Sequence, residues 1–153
     1  MPGSNTAPTL SENTMATVKA TVPALREHGV AITKRMYERM FVNEEIKQMF
    51  DMAAQESGEQ PKRLAMAILA YAENIDKLQN LEAPVMRMVQ RHVECHVKAE
   101  HYPIVAENLL AAIKDVLGDA ATDDILAAWG EAYWFLANIL IGKENQLYAE
   151  QAA

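Results

Sequence analysis

The 153-residue chain predicts an all-α protein of about six to eight helices, and three observations carry that reading. Apolar residues recur three and four positions apart from Met15 to Leu140, the period of a helix with one buried face. No segment alternates apolar and polar residues with the period of two that a half-buried strand requires. Capping residues, glycines and prolines interrupt the helical pattern at intervals of a helix's length.

Taken in order, residues 1–10 are rich in Pro, Gly, Ser, Asn and Thr and read as a flexible N-terminal extension, leaving residues 11–150 as a single domain. Ser11 is placed to cap a first helix in which Met15, Val18, Val22 and Leu25 share a face, with Pro23 bending it and Gly29 ending it. A second helix carries Ile32, Met36 and Met40 on one face with Tyr37 and Phe41 beside them. A short turn over 43–48 leads to Met49 and Phe50, and the polar stretch 51–59 reads as a loop. Pro61 suits the first turn of the next helix, where its missing N–H has no intrahelical partner to lose. That helix shows the cleanest period, Leu64, Ile68, Tyr71, Ile75 and Leu78, and Gln60 lies near the same face at its N-terminal edge.

After an interruption over 80–84, Val85, Met88, Val89 and His92 form one stripe. The helix from about Ala99 carries Tyr102, Val105, Ala106, Leu109, Ile113 and Val116, and Gly118 closes it. Thr122, followed by Asp123 and Asp124, starts the last and longest helix, whose stripe is Ile125, Trp129, Ala132, Leu136 and Leu140 with Glu144 one turn on.

Composition narrows the function classes. Half the residues are apolar and 23% are charged, a globular balance that excludes wholesale disorder. The net charge of −7 argues against a nucleic-acid partner, which needs a basic face. No apolar run approaches the ~20 residues of a membrane span; Glu73, Asn74 and Asp76 break one candidate, Asn138 and Lys143 another. The first residues lack the basic start and apolar core of a secretory signal. Cys95 stands alone, which rules out an intramolecular disulfide and points to a reducing, cytoplasmic setting.

Few residues could carry chemistry. His28, beside Gly29, and His101, after Glu100, read as solvated. His92 ends an apolar stripe, and on spacing alone a satisfied core histidine is the simpler reading than a ligand. His92 and His96 would share a face if one helix ran through both, but the HVECH order is not the HExxH of a zinc hydrolase, and no third ligand is marked. The residues three before the histidines are Leu25, Val89, Val93 and Lys98, so the Glu-x-x-His pairs of a di-iron bundle are missing. There is no Gly-rich phosphate loop, and Ser4, Ser11 and Ser57 all fall in predicted termini or loops. Spacing alone makes Tyr102 as much a core tyrosine as a functional one, and Glu144 a solvated residue of a fraying last turn. The methionines near His92, Met86 and Met88, read as core filling, as does Trp129.

The order of the pieces carries more than any one of them. RMYERMF, MFDM, QESGEQPKRLAMAILAYAENIDKL, VQRHVECHV and AEHYPIVAENLLAAIKDVLGDAATDDILAAWGEAY together resemble the bacterial haemoglobin family. The likeness is greatest to single-domain haemoglobins of the Vitreoscilla type and to the globin domain of flavohaemoglobins, and runs from about residue 11 to residue 150. It implies a globin fold around a haem b pocket, with His92 as the proximal ligand of the iron. By the same resemblance Phe50 packs against the haem edge, Tyr37 supplies a hydroxyl over the open coordination position, and Gln60 and Leu64 occupy the distal helix. Tyr102 and Glu144 form a hydrogen-bonded group behind His92, and Arg91 lies near a propionate. The implied ligands are O₂, NO and CO, and a homodimer is compatible with the family.

Three features depart from that family. Tyr37 and Phe50 are 13 residues apart, one fewer than usual, without the usual proline. Trp134 stands where glycine is usual, and packing inside the fold is the expectation favoured for it. The chain ends at residue 153 with no flavin or nicotinamide module, so turnover would draw electrons from a separate reductase. The expected function is reversible oxygen binding for transport or storage; the alternative is a nitric oxide dioxygenase converting NO and O₂ to nitrate. A haem-free interaction domain on a globin fold is a third class, and it would tolerate loss of His92.

Overall fold

A computed structural model describes residues 10–49 and 58–152, and no strand occurs among them. Among the described residues there are seven α-helices: α1 (Glu12–Ala20), α2 (Val22–Met40), α3 (Glu44–Lys47), α4 (Glu59–Glu73), α5 (Glu82–Glu94), α6 (Tyr102–Leu117) and α7 (Asp123–Ala152). Short 3₁₀ turns at Leu78–Leu81, Ala99–His101 and Gly118–Ala120 join the later ones. α2 packs against α4 and α6, while α7 packs against α1, α5 and α6.

Ser11 caps α1 as expected, its hydroxyl accepting from the Thr14 N–H at 3.1 Å. The first two helices divide differently from the sequence reading. The break falls at Thr21, and Pro23 sits in the first turn of α2, where a proline ring meets no preceding helical carbonyl. Gly29 does not end a helix. It lies buried in the middle of α2, where a Cβ would stand 3.5 Å from the Ala65 methyl of α4. That is ordinary contact distance; α2 runs on through the glycine because its buried face packs on α4, which a local capping rule cannot express. The Leu64–Leu78 stripe also divides, because α4 ends at Glu73 and Leu78 belongs to the following 3₁₀ turn.

The larger core joins Val18, Leu25, Ile32, Met36 and Met40 to Tyr71, Leu109, Ile113, Trp129 and Ala132. A smaller cluster of Val89, Tyr102, Ala137 and Leu140 lies between α5, α6 and the second half of α7. By length and composition alone α7 could span a bilayer. Its buried residues, among them Trp129, Ala132, Ala137 and Leu140, belong to a helix that packs on three others.

Thr21 shows how the helix break is held. Its hydroxyl donates to the Val18 carbonyl at 2.6 Å and accepts from the Trp129 indole N–H at 3.1 Å. Thr21→Val keeps the shape and removes the acceptor, leaving a buried indole N–H unpaired at a cost of about 1–3 kcal/mol. Thermal melts should therefore show the variant unfolding several degrees lower; an unchanged midpoint would mean that the indole finds another partner.

Candidate functional site

Building upward from α5, Val89 and Val93 are buried, and His92 between them keeps 30% of its side chain exposed. Its Nδ1 lies 2.8 Å from Glu144 Oε2 and 3.0 Å from the Tyr102 hydroxyl. The Tyr102 hydroxyl in turn donates to the Glu144 carboxylate, 2.8 Å from each oxygen. A carboxylate has only acceptors, and the tyrosine proton is already committed to it. Nδ1 must therefore carry the imidazole proton, which leaves the lone pair on Nε2. Burial, reinforced by the Glu144 contact, raises the Tyr102 pKa far above the usual phenol value, so this hydroxyl stays a neutral donor.

Glu144 overturns the expectation of a solvated, fraying residue. It is 2% exposed, and α7 continues two turns beyond it to Ala152. A buried carboxylate is costly unless its lone pairs are met, and here the donors come from α5 and α6. Because those donors are 52 and 42 residues away, spacing within one helix could not reveal them.

Two further tyrosines of α7 hold this group and were missed in the sequence. The Tyr133 hydroxyl donates to the Tyr102 carbonyl, and the Tyr148 hydroxyl to the Val97 carbonyl, both at 2.7 Å. The Val97 N–H itself bonds the His92 carbonyl at 2.8 Å, so Tyr148 fixes the chain immediately beyond the histidine. Tyr148 is one turn after Glu144 and Tyr133 three turns before it; that shared helical face was the available signal. Between them His96 adopts a φ of 62°, and Lys98 Nζ lies 3.6 Å over the Tyr148 ring.

A second polar pair lies between α2 and α4. Gln60 Nε2 donates to the buried Tyr37 hydroxyl at 3.2 Å, so the tyrosine oxygen is the acceptor in this bond. Gly58, at φ 82°, turns the chain into α4. Thr33, fully buried on α2, donates to the Pro61 carbonyl at 2.7 Å and sets the height of the first turn that carries Gln60. Leu64 is half-buried one turn further along. Phe50 lies outside the described residues, and with it the consequence of the short Tyr37–Phe50 spacing.

The remaining candidates fall outside both groups. α5 ends at Glu94, so His96 cannot share a helix face with His92, and the zinc-pair geometry fails. Among the described residues no group of three or more His, Cys, Asp or Glu could hold a metal ion. Arg91 is exposed, as is Cys95. His28 sits within α2 beside Glu27, and His101 Nδ1 accepts from the Lys98 N–H at 2.9 Å as a local cap. Trp134 is not enclosed as favoured; it is 36% exposed, its ring edge-on to Tyr133 with centroids 5.3 Å apart.

Comparison with known proteins places this geometry in context. A family profile described as Globin matches residues 34–140. A flavohemoprotein from Chromobacterium violaceum is 51% identical over 142 residues, covering 92% of this chain and 35% of the relative. The chain thus spans about a third of the length of such relatives. Among solved structures, an engineered carbene transferase from Rhodothermus marinus, whose parent is assigned as a nitric oxide dioxygenase, superposes with a TM-score of 0.89 at 46% identity. That match covers 95% of this chain and 100% of the other. The flavohemoglobin of Malassezia yamatoensis, solved with FAD and heme bound, gives 0.86 at 34% identity over 93% of this chain and 38% of its own. With the matched profile, the all-helical fold and these relatives in agreement, the chain belongs to the globin family, a family of haem-binding proteins.

Proposed function

We propose that this chain is a haemoglobin that binds O₂ reversibly at the iron of haem b, ligated by His92. The observation that carries this reading is the fixed tautomer of His92: with Nδ1–H held by Glu144, Nε2 offers the lone pair that an iron ligand needs. The residues present fit the group. A neutral imidazole is oriented through its far nitrogen, and no protein group among the described residues bonds Nε2. Bound there, haem would supply an iron able to take O₂, NO or CO.

Every other role belongs to the chain. Tyr37 and Gln60 serve as donors that hold a ligand gathering negative charge. Leu64 and Phe50 keep water away from it, Arg91 pairs with a propionate, and Tyr102 and Glu144 orient His92. A second reading, nitric oxide dioxygenase, is favoured by the Glu144 contact and by the similarity to flavohemoproteins. A carboxylate on Nδ1–H makes the imidazole a stronger donor, which suits ligand activation over storage. Under that reading NO and O₂ become nitrate with electrons from a flavin reductase.

Absorbance spectra of the purified protein as isolated, reduced, and reduced with CO test the first reading, beside the same series for His92→Ala. A Soret band that shifts at each step, and is weakened or displaced in the variant, is expected. A protein that takes up no haem when haem is supplied would overturn both readings. Rapid NO consumption sustained over many turnovers by fast re-reduction would decide for the dioxygenase; consumption that stops after one turnover, for the carrier.

A further inference from the structure

One feature of the site has no part in ligand binding: the aromatic row that leads outward from it. His92 meets Tyr102, with ring centroids 6.1 Å apart and Nδ1 3.0 Å from the hydroxyl. The backbone of Tyr102 receives the Tyr133 hydroxyl at 2.7 Å. The Tyr133 ring meets Trp134 edge-on at 5.3 Å, and Trp134 reaches the surface.

We propose that Tyr102, Tyr133 and Trp134 form a one-electron relay between the proximal side of the haem site and solvent, with Trp134 as its surface terminus. The proposal rests on the reading that His92 carries haem. The chemistry of each station follows from its proton. A phenol or indole gives up an electron readily only when its proton has somewhere to go. Tyr102 has the Glu144 carboxylate at 2.8 Å as acceptor, and Trp134 has water. Tyr133 faces only a backbone carbonyl, which cannot take a proton, so it acts as a bridge and not as a resting place.

Neighbouring rings are poorer termini. Trp129, the only other tryptophan, is 3% exposed with its N–H committed to Thr21, so its proton has no route to water. Tyr148 carries the Lys98 ammonium 3.6 Å over its ring, and that charge opposes formation of a positive hole.

Hydrogen peroxide is the oxidant that would use the row. It would take two electrons at the haem site and, with two protons, be reduced to two waters. Two electrons return along the row one after the other, each supplied at Trp134 as its indole proton passes to solvent. Each Trp134 radical is restored by one electron and one proton from an external donor such as ascorbate. The effect is to move a damaging oxidising equivalent from the buried site to a surface where it can be repaired.

The experiment treats the haem-loaded protein with one equivalent of peroxide and a nitroso spin trap, then maps the adduct by peptide mass spectrometry. The wild-type adduct is expected on Trp134. Trp134→Phe should lose it and gain adduct on Tyr102, while Tyr133→Leu should lose the Trp134 adduct. Tyr133→Phe, which keeps the ring, should retain the adduct and guards against a folding defect in the leucine variant. An adduct confined to Cys95, Trp129 or Tyr148, or one on Trp134 indifferent to Tyr133→Leu, would overturn the relay. Absence of a Soret band before peroxide is added would instead overturn the haem reading beneath it.

Discussion

Tyr37→Phe is expected to release oxygen about ten- to hundredfold faster than the unaltered protein. A hydrogen bond to a charged partner contributes about 1.5–3 kcal/mol, and every 1.4 kcal/mol is a factor of ten, which together set that range. The substitution removes only an oxygen atom from a buried ring, so the Tyr37–Phe41 ring contact at 5.5 Å survives. Gln60 loses its acceptor at 3.2 Å but keeps its own N–H groups, and to the extent that it turns toward the ligand the effect falls to the lower end. Stopped-flow displacement of O₂ by CO measures the rate directly. A dissociation rate equal to that of the parent would take the hydroxyl out of ligand binding and leave Tyr37 as a core residue that anchors Gln60.

On the opposite side of the site, Glu144→Gln is expected to weaken haem retention by about ten- to hundredfold, the usual cost of losing the outer partner of a metal-bound histidine. The amide has nearly the volume of the carboxylate, so packing changes little. Its charge does change. Two donors, His92 Nδ1–H and the Tyr102 hydroxyl, converge on Oε2, and an amide oxygen standing there can meet both, but only as a neutral acceptor. Each bond therefore loses the charge that strengthens it, and the imidazole loses the carboxylate's push. Transfer of haem to an excess of another apoglobin reports retention, and the iron–histidine stretching frequency in resonance Raman reports the imidazole's donor strength. Faster transfer with a lowered frequency is the expected pair. Unchanged values for both would show that Glu144 merely fills space beneath His92.

The helical architecture was legible because it rests on local periodicity. The stripe Ile32, Met36 and Met40 is buried as read, as are Trp129, Ala132 and Leu140 on α7. Helix ends were legible where a side chain caps its own helix, at Ser11 and at Thr122, whose hydroxyl accepts from the Ile125 N–H at 3.3 Å. They were misread at Gly29, where α2 runs on because its buried face packs on another helix. Trp134 was misread for a related reason: the helical period gives a residue its angle around α7 but not what, if anything, stands opposite.

For the site, residue types and their order pointed to a haem-ligating histidine with Tyr37, Gln60, Tyr102 and Glu144 around it, but only through resemblance to a family. Spacing alone left His92 a core residue and Glu144 a solvated one. By itself, then, the sequence determined an all-α chain with His92 closing an apolar stripe, because amphipathic period and residue chemistry are local properties. The tertiary structure decided that His92 holds its proton on Nδ1, that Glu144 is buried, and that Tyr133 and Tyr148 brace the group. Each of those depends on donors and acceptors far apart in the chain, and a buried charge or a fixed tautomer exists only once packing has brought them within hydrogen-bond reach.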